Sequence, residues 1–212
     1  TEEELRDEFE EFGIHLPKSV GFYTAGMSAC DYLSKKMSRF PEHNFQVGII
    51  GESGLYQTLN PLSSFKNCII SNILPSKTDI THNITGYFLI VGAVNRIKII
   101  HIHMLLRWIA RGARIITTCP DKTDPSITED FKLVMPEQIL HMAGYNKQIN
   151  SYSTGKPNPI YRNEIMKRLG ITDPSRILFV GDTIYTDIRL AEESGFRSCL
   201  VLSGNTKGDT YG

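Results

Sequence analysis

Apolar residues recur along this chain with two periods. Leu5, Phe9 and Phe12 follow helical spacing, Thr1 and Glu4 are placed as a capping box, and Gly13 is a stop signal, so the pattern predicts an opening helix. A second helical stretch is predicted from Thr24 to about Met37. Phe45 to Ile50 is then a short apolar run closed by Gly51, the pattern of a buried strand. Strands are predicted at Cys68 to Ser71, Tyr87 to Val91 and Arg114 to Thr117, with a helix through Met104, Leu105, Trp108 and Ile109. A polar stretch from Asp121 to Glu129 and a weakly patterned segment to Asn150 come next. The last unit reads as helix Ile160 to Leu169, strand Ile177 to Val180, helix Asp187 to Ser194 and strand Cys199 to Leu202. Strands alternating with helices imply parallel pairing, right-handed crossovers and an α/β class.

At 212 residues and 23.9 kDa, with 41% hydrophobic residues, the chain has bulk for one large domain or two small ones. Chains of this size bury about 70% of their unfolded surface, so neither disulfides nor metal clips are required. Lys plus Arg and Asp plus Glu are 23 each, which removes the positive field that broad nucleic-acid binding needs. Cys30, Cys68, Cys119 and Cys199 are dispersed without a C-x-x-C, the usage of reduced thiols in a cytoplasmic protein. No apolar run reaches the roughly 18 residues of a membrane span, and the acidic start is not a signal peptide.

Chemistry concentrates in two loops. In Thr154-Gly155-Lys156-Pro157-Asn158-Pro159, Pro157 restricts Lys156, Asn158 is a good N-cap and Pro159 suits the first helical position, so Lys156 is held beside a helix start. Alone, such a motif is more often an ordinary loop with a solvated lysine, and it decides little. In Val180-Gly181-Asp182-Thr183-Ile184-Tyr185-Thr186-Asp187, a buried strand ends in Gly181. That places Asp182 outside its carboxyl end, where open α/β sheets bind ligands. Asp182 and Asp187 supply the hard oxygens that Mg²⁺ prefers; the alternative is that Asp187 or Thr186 caps a helix while Asp182 satisfies turn amides. Lys156 precedes Asp182 by 26 residues (182 − 156), with one helix and one strand between them, an arrangement that predicts both loops on one sheet edge.

G-K-P-N-P, a helix, V-G-D-T-x-x-T-D-I and then L-V-L-S-G-N-T together resemble the third and fourth motifs of the haloacid dehalogenase (HAD) superfamily of phosphatases. The likeness is strongest to the NagD-like, p-nitrophenylphosphatase branch. Glu3 to Gly13 and Ser19 to Ala25 resemble the stretch after that family's second motif. The resemblance implies a Rossmann-like core, incomplete here, with an inserted α/β cap of the C2 type: residues 1–51 core, 52–150 cap and 151–212 core again.

It also implies a Mg²⁺-dependent phosphatase that hydrolyses a small phosphorylated metabolite through an aspartyl-phosphate. Lys156 would neutralise charge between nucleophile and phosphate, and Asp182 and Asp187 would serve Mg²⁺ directly and through its waters. Gly155, Gly181 and Thr183 would shape the loops. Asp121, in Thr117-Thr118-Cys119-Pro120-Asp121, would approach substrate from the cap or else cap a turn; the family carries Asn where Cys119 stands. The family's nucleophile comes from a D-x-D motif, and the ten aspartates here contain none. The expectation is therefore a chain cut at both ends, and the competing reading is a catalytically inactive HAD-like binding protein. Cap helices pair in family dimers, which makes the run Arg96 to Arg111 a candidate homodimer surface. His101-x-His103 reads as core or surface histidines, and Gly51-Glu52-Ser53-Gly54 as a strand-to-helix turn.

Overall fold

A computed structural model describes residues 2–71, 84–121, 133–144 and 151–208. Thr1 of the expected capping box, residues 122–129 of the polar stretch, and residues 130–132 and 145–150 of the weakly patterned segment lie outside the described residues.

The opening helix α1 (Glu2–Glu11) carries Glu2, Glu3 and Glu4 in its first turn, where acidic groups complement the helix dipole. It ends before Gly13, which takes the left-handed conformation at φ 73° that a glycine tolerates without strain. In α2 (Ala25–Arg39) the Thr24 hydroxyl accepts the Met27 N–H at 3.3 Å, an N-cap, and Ala29, Leu33 and Met37 form the buried stripe.

The strands β1 (Asn44–Ile50), β2 (Cys68–Ser71), β3 (Ile84–Val91), β4 (Arg114–Thr117) and β5 (Ser151–Ser153) form one parallel sheet in the order β2-β1-β3-β4-β5. Its apolar residues divide by alternation. Phe45, Val47, Ile49, Phe88, Ile90 and Ile116 pack with α2 and with Leu59 of α3 (Ser53–Leu59). Ile50, Leu89, Val91 and Ile115 pack on the other face with Met104, Leu105 and Trp108 of α4 (Ile99–Ala110) and Ile139 and Leu140 of α5 (Pro136–Met142). Gly48 makes room for the indole: a Cβ there would lie 2.6 Å from the Trp108 ring.

This sheet runs across both boundaries expected from the sequence. β1 was assigned to the segment ending at residue 51 and β5 to the one starting at 151, yet both pair with strands from between them. Covered on both faces, β1 needs neighbours on each edge, and parallel partners come from distant sequence.

A second, two-stranded parallel sheet pairs β6 (Leu178–Gly181) with β7 (Arg197–Leu200). Ile177, Phe179 and Phe196 pack against Ala191 of α7 (Arg189–Ser194) and Ile165 and Met166 of α6 (Pro159–Leu169), while Leu178 and Val180 face outward, more than half exposed. β7 begins two residues before the predicted Cys199. The predicted helix from Asp187 instead opens with a π-helical turn, Ile184–Ile188, in which the Thr183 carbonyl accepts the N–H groups of both Asp187 and Ile188.

Candidate active site

Three loops converge beyond the strand ends. After β5, Thr154 is buried: its N–H donates to the Thr117 carbonyl at 2.9 Å, and its own carbonyl accepts the Ser28 hydroxyl at 2.7 Å. Asn158 is the expected N-cap of α6, its side-chain oxygen accepting the Ile160 N–H at 2.9 Å while its amide nitrogen donates to the Ser153 carbonyl at 2.6 Å. The Lys156–Pro157 peptide bond is cis. Gly155 is pressed on the neighbouring loop: a Cβ there would lie 2.2 Å from the Thr118 carbonyl oxygen and 2.7 Å from the Cys119 Cα.

Held in this way, Lys156 reaches Asp187, with Nζ 2.6 Å from Oδ1 and the carboxylate almost fully buried. The other oxygen of Asp187 accepts the backbone N–H groups of Asp182 and Thr183, each at 3.2 Å. These loop amides, which the alternative reading gave to Asp182, are thus taken by Asp187. Gly181 permits this closure, because a Cβ there would sit 2.3 Å from the Asp187 Cβ.

Asp182 is held differently. One oxygen accepts the Asn205 N–H at 2.7 Å and the other lies 3.3 Å from the Thr183 hydroxyl. Gly204 lies so close that a Cβ would fall 1.8 Å from the Asp182 carboxylate. The structure brings Lys156, Asp182 and Asp187 together, but from two sheets: Lys156 follows β5 of the larger and Asp182 follows β6 of the smaller, not one shared edge. They meet because α2 packs on α6 through Lys35 to Glu164 at 2.5 Å, and Tyr23, just before α2, sets its ring edge-to-face on Tyr161 of α6.

Asp121 joins this group. Burial pushes its carboxyl above the ordinary range, the Lys156 charge opposes that, and the charges of Asp187 and Asp182 add to it. Burial, aided by the Asp121 charge, pushes the Cys119 thiol up to about 11, so it stays protonated at neutral pH. Beside these groups lies a cavity of about 640 Å³, whose walls include Asp121, Glu137, Tyr185, Arg189 and Asn205. Of these, only Asp121 was singled out from sequence; the others become a wall only when α5, the π-helical turn and the loop after β7 are brought together. His101 of α4 turns its Nδ1 to the Lys98 N–H at 3.3 Å.

A site for Mg²⁺ can be judged from the oxygens. Among the described residues no three His, Cys, Asp or Glu side chains form a ready metal cage. Mg²⁺ typically uses one or two carboxylates and completes its octahedron with waters and phosphate oxygens. A carboxylate has about four acceptor positions, and the contacts above leave Asp182 with capacity to spare. The donor set fits Mg²⁺ on those terms.

Residues 153–212, which hold Lys156, Asp182 and Asp187, match the HAD-hydrolase-like family model. That C-terminal segment is similar to HAD-like hydrolases. The chain is 25% identical over 206 residues to the ribonucleotide monophosphatase NagD of Escherichia coli K12, covering 96% of this chain and 70% of that protein. It is 26% identical over 207 residues to the 5'-nucleotidase YutF of Bacillus subtilis, covering 98% of this chain and 72% of the relative. The structure of a p-nitrophenyl phosphatase from Archaeoglobus fulgidus superposes with a TM-score of 0.72 at 23% identity, over 100% of this chain and 72% of that one, which establishes the shared fold. Both of these relatives, NagD and YutF, are named as a phosphatase or a nucleotidase.

Proposed function

We propose that this chain serves a Mg²⁺-dependent phosphatase that cleaves a small phosphomonoester through an aspartyl-phosphate, the nucleophilic Asp lying outside these 212 residues. The observation that carries the reading is the Lys156–Asp187 pair at 2.6 Å, with the Asp182 loop folded onto the same carboxylate.

In such a reaction a carboxylate oxygen attacks phosphorus, the bond to the leaving oxygen breaks, and that oxygen takes a proton from an acid. Water then hydrolyses the acyl phosphate and restores the carboxylate. Lys156 is tethered at the ammonium by Asp187, so its charge is fixed in place before the anionic phosphoryl group arrives. Asp182 and Asp187 would hold Mg²⁺, which would supply further positive charge at the phosphoryl oxygens. Asp121 stands at the cavity wall, where a leaving group would lie, and is assigned to substrate positioning.

Two further readings are part of this proposal. The leaving group is a small organic fragment suited to the cavity, and the NagD and YutF names make nucleotides the first substrates to try. The protein also pairs through α4, supported by the outward stripe Ile99, His103, Leu106 and Ala110, in which Ile99 is 89% exposed.

The test is hydrolysis of p-nitrophenyl phosphate by the native gene product that contains these residues, with Mg²⁺ and with a chelator. Mg²⁺-dependent release of p-nitrophenol, lost in Lys156→Ala and Asp182→Asn, is expected. Binding of Mg²⁺ and phosphate without turnover would favour the inactive HAD-like binding protein instead.

A further inference from the structure

The loop after β7 returns over Asp182 and touches it in an ordered way. The Asn205 backbone N–H donates to one carboxylate oxygen of Asp182 at 2.7 Å, and the Thr206 N–H donates to the Asp182 carbonyl at 3.1 Å. The Asn205 side chain does something separate: its amide nitrogen donates to the Thr183 hydroxyl oxygen at 2.8 Å. An amide NH₂ can only donate, so the single hydroxyl proton of Thr183 is directed elsewhere, and the acceptor beside it is the second Asp182 oxygen at 3.3 Å. The result is a directed chain from Asn205 through Thr183 to Asp182.

We propose that Asn205 is a positioning residue for Asp182: its side-chain amide, acting through the Thr183 hydroxyl, fixes the rotation of the carboxylate that presents oxygen to the divalent cation. This rests on the reading of Asp182 as a cation ligand. The backbone donor from Asn205 anchors one oxygen whatever the side chain, whereas the orientation of the other depends on the hydroxyl. Without the amide, the Thr183 hydroxyl is free to turn, and the carboxylate loses its second restraint. Such outer partners of a ligand commonly tune metal affinity by 10–100-fold.

The experiment measures Mn²⁺ affinity of the native protein by titration calorimetry and electron paramagnetic resonance, with melting temperature recorded in chelator. Asn205→Ala is expected to weaken Mn²⁺ binding about tenfold while leaving the metal-free melting temperature in place. Thr183→Val should give a similar loss, and Thr183→Ser should keep wild-type affinity. The double variant Asn205→Ala/Thr183→Val should be no weaker than the poorer single variant, because both cut one chain. Unchanged affinity in Asn205→Ala, additive losses in the double variant, or a loss matched by a fall in metal-free melting temperature would each overturn the proposal. A wild-type protein that binds no Mn²⁺ would overturn the cation site itself; one that binds while Asn205→Ala matches it would overturn only the role of Asn205.

Discussion

Close approach of backbone, more than any polar contact, makes the site specific at the scale of single residues. Gly155, Gly181 and Gly204 each stand where a methyl group would collide, the first with the Thr118 and Cys119 backbone and the others with the carboxylates of Asp187 and Asp182. These collisions differ in consequence. The obstacle at Gly155 is main chain, which cannot rotate aside, so Gly155→Ala should push the Pro120–Asp121 loop outward and cost roughly 1–3 kcal/mol, read by chemical denaturation. At Gly181 the obstacle is the Asp187 side chain, whose displacement frees Lys156 and the amides of Asp182 and Thr183 together. Gly181→Ala should therefore depress Mg²⁺ binding out of proportion to its effect on stability, a comparison made by calorimetry and thermal melting of the same sample. The sequence made Lys156, Asp182 and Asp187 legible because a cation and two acids sit beside strong turn signals. Asn205 was not legible, since its contact with Thr183 spans 22 residues and depends on how the chain returns after β7.

Among the elements, the contact of α2 with α6 aligns the two sheets. Glu164 of α6 is buried and takes a hydrogen bond from Lys35 of α2, which, with the nearby positive charges of Lys35, Lys167 and Arg168, holds its carboxyl below the ordinary range. A carboxylate held low in the folded state adds stability that is complete above its unfolded value, near 4.5, and is lost as pH falls through the folded value. Glu164→Gln should lower stability at pH 7 by about 1 kcal/mol, a modest figure because Lys35 is half exposed. The gap from wild type should narrow as pH falls from the ordinary value of 4.5 through the lower folded value, measured by urea denaturation across that range. The strands and helices with strong apolar periods, β1, β3, α2 and α4, were readable from local pattern alone. The three residues of β5, Ser151–Ser153, were not, because they carry no apolar alternation and form a strand only by pairing with β4. α5 was missed for a related reason: its seven residues are too short for a helical period to declare itself.

For the whole molecule, the decisive question is what draws the loop carrying Asp182 and the loop carrying Lys156 into one site when they belong to different sheets. α2 and α6 set the approach, but the last contact is electrostatic: Lys156 pairs with Asp187 and its charge also reaches Asp121, which feels the charges of Asp187 and Asp182 as well. Such a group is short of positive charge, and a bound divalent cation would supply it. Binding to the native state alone stabilises by about 2.7 kcal/mol at a ligand concentration 100 times Kd. For a chain of this length that corresponds to a rise in Tm of roughly 5–10 °C. Mg²⁺ should therefore raise the melting temperature of the native protein, and a chelator should return it to the lower value. Asp182→Asn should abolish the rise while leaving the chelator value close to wild type, because Asp182 is partly exposed and holds no buried cation. Asp187→Asn should lower both values, since it also weakens the tether to Lys156 and to the loop amides. A Mg²⁺ effect equal in all three proteins would place the ion elsewhere; the ordering Asp182 without response and Asp187 destabilised throughout separates a ligand from a ligand that also holds the fold.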